Sequence, residues 1–156
     1  KLMRRGVNIK EGKEVNVLKS MFVKDVMTPH VETINEALPL GQMAQLISKS
    51  KFNSFPVLNS ENELAGIISF NDYSDAIFDE DLKNIVVAKD LASSDVVTVS
   101  SSDDLYTALE KISRNDFSTL PVVSPNDPTQ LVGIVTRRDV IGAYEKAVLK
   151  KSLFES

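Results

Sequence analysis

The 156-residue chain contains no cysteine. Disulfides, thiolate zinc sites and cysteine nucleophiles are therefore excluded, and the absence agrees with a reducing compartment. There is one histidine, His30, beside Pro29 in an expected turn. An imidazole cluster for metal is thus impossible, and Ser–His catalysis would have to use that one residue. No apolar stretch approaches the roughly 18 residues needed to cross a bilayer. No apolar core follows Lys1-Leu2-Met3-Arg4-Arg5, so no secretory signal is visible. The chain has no G-x-x-x-x-G-K-[ST] loop for nucleotide hydrolysis. Asp79, Glu80 and Asp81 are consecutive and read as a solvated charge run, not as a spaced catalytic pair. No catalytic constellation emerges, so the expectation is a protein that is not an enzyme.

What is present can build a core. Hydrophobic residues make up 42% of the chain and charged residues 26%, with no low-complexity tract, the profile of a soluble globular protein. The net charge of −4 conceals an asymmetry. Residues 1–20 hold Lys1, Arg4, Arg5, Lys10, Lys13 and Lys19 against Glu11 and Glu14, six cations less two acids or +4, which leaves −8 for the rest. A basic leader on an acidic body argues against a nucleic-acid-binding body. The chain opens on Lys rather than Met, and is expected to have been cut from something longer.

A phrase occurs twice. Gly66-Ile67-Ile68-Ser69-Phe70-Asn71-Asp72 and Gly133-Ile134-Val135-Thr136-Arg137-Arg138-Asp139 each run from glycine through two apolar residues to a hydroxyl, with an acid three positions later. Each follows a matching strand-like phrase, Phe55-Pro56-Val57-Leu58 and Leu120-Pro121-Val122-Val123. The offset is 65 at Asp25/Asp90 and Pro56/Pro121, then 67 at Gly66/Gly133 and Asp72/Asp139. The two extra residues fall in 124–129, a loop by composition. The chain is an internal duplication.

Each copy reads β-α-β-β-α. Val31–Ile34 and Val96–Val99 are the opening apolar segments, with Asn35, or Ser102 and Asp103, as candidate helix caps. Leu40, Met43, Ala44 and Ile47, and likewise Leu105, Ala108, Leu109 and Ile112, fall at i, i+3, i+4, i+7. Two strands then flank a polar loop, and closing helices are expected at about 70–78 and 137–150. A unit this small has a thin core, so the two are expected to pack sheet to sheet as one pseudo-symmetric α/β (α+β) module. Expected boundaries are an arm at 1–21, repeats at 22–78 and 87–146, a linker at 79–86 and a tail at 147–156.

These residues resemble the cystathionine-beta-synthase (CBS) domain, here as the tandem pair called a Bateman module, over roughly residues 22–146. The resemblance rests on both h-P-V phrases and both G-h-h-[ST]-x-x-D phrases. The leader, with Glu11-Gly12 and Val15-Asn16-Val17-Leu18, resembles the segment joining the last membrane helix of bacterial chloride channels and chloride/proton antiporters to their cytosolic module. Its charge would suit the cytoplasmic side of a membrane. The alternative is a basic arm of another host.

In [ST]-x-x-D, Thr136 and Asp139 can form a capping box on the following helix. The resemblance implies a second role, in which the Asp accepts from ribose hydroxyls and the Ser or Thr helps hold ribose or phosphate. A carboxylate can accept from both hydroxyls at once, and free helix amides would suit a phosphate. The implied main cleft holds Val31, Phe52, Asn53, Ser118, Ile134, Thr136 and Asp139. Arg137 and Arg138 are either phosphate partners or solvated residues at the helix start. The implied second cleft holds Ile67, Ser69, Asp72, Val96, Phe117 and Asp116. It has Phe70-Asn71 where the first has Arg137-Arg138, so it is expected to be weak or empty. The implied ligand is ATP, ADP or AMP, with no cofactor required. The implied partners are an upstream transmembrane chloride channel domain and a second copy of the chain. The apolar residues Val140, Ile141, Tyr144 and Val148 of the last helix serve either that dimer or the core.

Overall fold

A computed structural model describes residues 12–155. The N-terminal eleven residues of the leader, including its basic cluster, lie outside the described residues. The elements are α1 (12–19), α2 (Val23–Val26), β1 (Ile34–Asn35), a single 3-10 turn (Leu40–Gln42), α3 (Ala44–Lys49), β2 (Ser54–Leu58), β3 (Leu64–Ser69), α4 (Phe70–Ile77), α5 (Ala88–Leu91), β4 (Val99–Ser100), α6 (Leu105–Asn115), β5 (Thr119–Ser124), β6 (Asp127–Thr136) and α7 (Arg137–Glu155).

They form two three-stranded sheets, β1-β2-β3 and β4-β5-β6. In each, the short first strand runs parallel to the second and the last two form an antiparallel hairpin. The mixed α/β architecture and its duplication are as the sequence predicts. β3 and β6 bring the two sheets together, and Thr129 Oγ1 lies 3.2 Å from Glu63 Oε2, joining the two hairpin ends.

The helical periodicity is realised differently in the two copies. In α6, Leu105, Ala108 and Ile112 are all fully buried. Its cap is Asp104, which accepts from the Thr107 N–H at 2.8 Å, not Ser102 or Asp103. Asp103 instead accepts from the Ser100 amide. α6 ends on Asp116 at φ 54°, a left-handed stop that Asp tolerates better than most residues. In the first copy the same spacing is split into the Leu40–Gln42 turn and a six-residue helix, with Leu40, Met43 and Ile47 buried.

The packing units are not the sequence repeats. α2 precedes β1 in sequence, yet Val23 joins Leu18, Leu105, Ile112 and Val135 in the core of the second sheet. α5 opens the second repeat, yet Ala88 joins Leu40, Met43, Phe55 and Ile68 in the core of the first. The crossing is fixed by paired backbone bonds. Thr28 and Ile134 exchange N–H···O bonds of 2.8 and 2.9 Å, and Ser93 and Ile67 exchange theirs at 2.9 and 3.0 Å. Each repeat lends its opening segment to the other.

The repeated glycines sit at these crossings. A Cβ on Gly66 would stand 3.0 Å from both Ala92 Cβ and Ser93 O. On Gly133 it would stand 2.8 Å from Met27 Sδ and 2.9 Å from Thr28 O. Glycine at this position of the motif is a requirement of close backbone approach. Gly142 differs, since a Cβ there meets nothing within 4 Å and the residue lies inside α7. Gly142→Ala should raise stability by about 0.5–1 kcal/mol in a denaturant titration, through helix propensity alone.

The segments beside and between the repeats are structured too. Residues 12–19 of the expected arm are helical and place Leu18 in the second core. Burial, and then the charge of Glu14 in α1, push the Tyr144 phenol in α7 above its ordinary value. The expected linker is anchored, because Leu40 N–H donates to Val86 O and Leu82 packs on the first core. The expected loop at 124–129 is a tight hairpin, with Ser124 opposite Asp127. Pro128 is tolerated there because β6 is an edge strand. The expected tail continues α7 to Glu155.

Candidate nucleotide cleft

Each strand-to-helix junction is built by one set of bonds. In α4 the Phe70 amide donates to Asn53 O at 2.7 Å, and in α7 the Arg137 amide donates to Ser118 O at 2.9 Å. The motif hydroxyl caps the helix: Ser69 Oγ accepts from the Asp72 amide at 3.1 Å and Thr136 Oγ1 from the Asp139 amide at 2.9 Å. Only the second copy closes the capping box, with the Thr136 N–H donating to Asp139 Oδ2 at 3.0 Å. Among the described residues, Asp72 receives no such bond from Ser69.

The capping reading is therefore correct for Thr136 and Asp139, and it leaves room for the other. Oδ2 takes the Thr136 amide, while Oδ1 keeps its acceptor capacity and the residue lines the cleft. The helix amides offer less than expected. Two of the first three in α7 already serve Ser118 O and Thr136 Oγ1, which leaves that of Arg138. Any phosphate there must be met chiefly by side chains.

Those side chains are present. A cleft of about 760 Å³ is lined from the first repeat by Lys51, Phe52 and Asn53, and from the second by Ser118, Thr136, Arg137, Arg138 and Asp139. Its size is within the roughly 300–1,000 Å³ of ordinary small-molecule sites. Seven of the nine residues expected in the main cleft thus converge on it. The wall also takes Thr28, Thr119, Ile141, Gly142 and Glu145. Val31 and Ile134 are not in it. Ile134 is fully buried, and its contribution is the backbone pair with Thr28. Val31 lies three residues past that crossing in sequence, and of this segment Thr28 lines the wall.

Lys51 was missed, although alignment of the repeats sets it against Asp116 and so exposes a charge reversal. With Arg137 and Arg138 it makes three cations in the wall that Asp139 shares, against the one further acid Glu145. Lys51 Nζ also lies 5.7 Å from the Phe52 ring centroid.

A second, smaller cleft of about 230 Å³ is the pseudo-symmetric counterpart. Ile67, Ser69, Asp72 and Phe117 line it as expected. Val96 does not; Val97 does, because successive side chains of an extended segment point to opposite sides. Asp116 does not either, being spent on the left-handed end of α6, and the carboxylate that faces this cleft with Asp72 is Asp95. Thr119 lines both clefts. Among the described residues no helix is long and apolar enough to cross a membrane, and no cluster of acids and histidine could hold a metal ion.

Comparison with known proteins identifies the family and the fold. An uncharacterized protein of Methanocaldococcus jannaschii is 30% identical over 127 residues, 81% of this chain and 40% of that protein. A homoserine O-acetyltransferase of Methanohalobium evestigatum is 26% identical over 84% of this chain and 26% of its own length. The chain therefore spans well under half of these curated relatives. Among solved structures, CBSX2 in complex with AMP superposes with a TM-score of 0.70 at 26% identity, over 81% of this chain and 97% of that one. The CBS domain of the bacterial CNNM/CorC family Mg2+ transporter gives 0.71 at 21%, over 85% and 79%, a likeness of fold. The CBS domain pair of protein MJ0100, in complex with 5′-methylthioadenosine and S-adenosyl-L-methionine, gives 0.68 at 24%, over 81% and 97%. The family model of the CBS domain matches residues 23–79 and again 88–146. The chain belongs to the CBS domain family, as a tandem pair.

Proposed function

We propose that this chain is a regulatory module that binds an adenosine nucleotide in the cleft of Thr136 and Asp139 and biases the conformation of an attached domain. The observation that carries the reading is the meeting, in one cleft, of a carboxylate at a helix start with Lys51, Arg137 and Arg138. A diol-accepting acid beside three cations suits a ribose phosphate. CBS pairs are regulatory rather than catalytic, and CBSX2, at 26% identity, is described with AMP. A ligand shifts the attached domain only by its differential affinity for that domain's states.

The attached domain is read as a membrane chloride channel or transporter, with the module on its cytoplasmic side. The sequence likeness and positive charge of residues 1–20 support this. Kinship to a Mg2+ transporter's module and to proteins named homoserine O-acetyltransferase favours the alternative of another host. A second role in dimerisation is favoured by α7. Val140 is fully buried and Tyr144 packs on the second core, but Ile141 is 42% exposed, Val148 40% and Leu149 62%. Mass that rises with protein concentration, without a nucleotide effect, would support it.

Thermal melting with AMP, ADP and ATP tests the main reading. Stabilisation should grow with the logarithm of ligand over Kd, reaching about 2.7 kcal/mol at a hundredfold excess over Kd. No shift at millimolar nucleotide would sink it. In the Arg137→Ala/Arg138→Ala double variant, calorimetry should show the preference for AMP over adenosine collapsing, while adenosine affinity holds.

A further inference from the structure

We infer that the C-terminal part of α7 is a docking surface for an anionic lipid membrane. Residues 146–153 line neither cleft, so the surface owes nothing to the nucleotide reading.

α7 is longer than the fold requires. Its counterpart α4 ends at Ile77, which the 67-residue offset sets against Tyr144. Tyr144 is also the last residue of α7 that packs on the second core. α7 nevertheless runs on to Glu155, about three more turns. This extension carries a stripe of its own. Lys146, Leu149, Lys150 and Leu153 fall at i, i+3, i+4 and i+7, on one face of the helix, and all four are exposed. Leu149 and Leu153 are 62% and 70% exposed. A single exposed leucine is ordinary, but two a turn apart among lysines make an interfacial face. The stripe contains no acid, and Glu145, one turn before Leu149, lines the nucleotide cleft.

The surroundings are cationic as well. α1 and α7 enclose a groove of about 410 Å³, whose wall combines Lys13 and Lys151 with Asn16, Ser20, Val17 and Ala147 and holds no acid. Residues 13–19 and 146–151 together carry five lysines against Glu14, a net +4 in a chain of −4, which leaves −8 for the rest. These charges choose among occupants. A second copy laid on the same stripe would set lysine against lysine with no acid to answer. The exposed apolar residues that suit a dimer, Ile141 and Val148, stand seven apart on another side of α7. An anionic membrane answers both halves of the stripe. The leucines enter the acyl boundary, and the lysine stems reach back to the headgroups. The groove adds two ammonium groups for a lipid phosphate.

Vesicles of phosphatidylcholine, with and without phosphatidylglycerol, test this on the whole chain. The protein should sediment with the anionic vesicles alone, and rising salt should release it. The chain has no tryptophan, so Leu149→Trp supplies a single reporter. Its emission should shift to the blue on anionic vesicles, while that of Ser60→Trp, in the turn between β2 and β3, should not respond. Lys146→Gln/Lys150→Gln should weaken partition about 25-fold, at about fivefold per lysine near an anionic surface. Leu149→Ser/Leu153→Ser should weaken it about tenfold or more. Both double variants should melt as the parent does. Arg4→Gln/Arg5→Gln, in the basic leader, should leave the tryptophan shift in place. The assignment falls if vesicle binding disappears with the leader arginines and survives both stripe variants. Loss of self-association in the stripe variants, with vesicle binding intact, would hand the stripe to a second copy. No vesicle binding at all would leave it to an acidic protein, and either result overturns the membrane assignment.

Discussion

Asp139→Ala should weaken adenosine nucleotide binding by on the order of 100-fold while costing about 1 kcal/mol of stability. The two effects have separate origins at one carboxylate. Oδ2 accepts the Thr136 amide at 3.0 Å, and Thr136 Oγ1 accepts the Asp139 amide at 2.9 Å, which closes the capping box of α7. Removing half of that box costs what a lost cap costs, about 1 kcal/mol. The other oxygen keeps its acceptor capacity, and the residue lines the cleft. Hydrogen bonds to a charged acceptor are worth roughly 1.5–3 kcal/mol each, so losing a ribose pair is worth about 3 kcal/mol, and each 1.4 kcal/mol is tenfold in Kd. Asp139→Asn separates the two. It keeps an acceptor for the Thr136 amide and should melt close to wild type, but still lose most of the affinity. Calorimetry and ligand-free melting on both variants read the two quantities independently. Unchanged affinity in Asp139→Ala would refute the assignment of this cleft. Asp72→Ala should cost less stability, since Ser69 and Asp72 form only one bond of the box.

The duplication made the fold legible, because h-P-V and G-h-h-[ST]-x-x-D mark the two hairpins that hold each sheet. Residues close in sequence to these phrases also converge: Phe52, Asn53, Ser118 and Thr136 to Asp139 all line one cleft. What failed was orientation and exchange. Val96 and Val97 are both apolar neighbours in an extended segment, and only the crossing of Ser93 with Ile67 decides which one turns inward. Asp116 reads as a cleft acid, but its backbone must turn left-handed to end α6. The choice among Ser102, Asp103 and Asp104 as cap lies within the uncertainty of helix ends. No local pattern told that α2 and α5 would pack on the opposite sheets. Val23 and Ala88 are apolar in either setting, and which core receives them is a tertiary matter.

The exchange has a hinge, and Gly133→Val should expose it with a loss of about 3–5 kcal/mol. The new Cβ would stand 2.9 Å from Thr28 O, a backbone atom, and 2.8 Å from Met27 Sδ. The Met27 side chain can turn aside, but Thr28 cannot while it exchanges bonds of 2.8 and 2.9 Å with Ile134. Overpacking costs roughly 1–3 kcal/mol, and each backbone bond broken adds about 0.5–1.5 kcal/mol. Displacing Thr28 also pulls on α2, whose Val23 is fully buried in the second core. For a domain with a total stability of about 5–15 kcal/mol, that is a large fraction. Urea titration measures it, and a loss below about 1 kcal/mol would show that the opening segment yields without strain. The same variant should bind nucleotide less well, because Thr28 is part of the first cleft's wall. Gly66→Val should act in mirror image: it presses on Ser93 O at 3.0 Å, destabilises the first core through α5, and disturbs the second cleft, which Ser93 lines. The motif glycine thus ties folding to the site. It admits the other repeat's backbone, and that backbone completes the cleft.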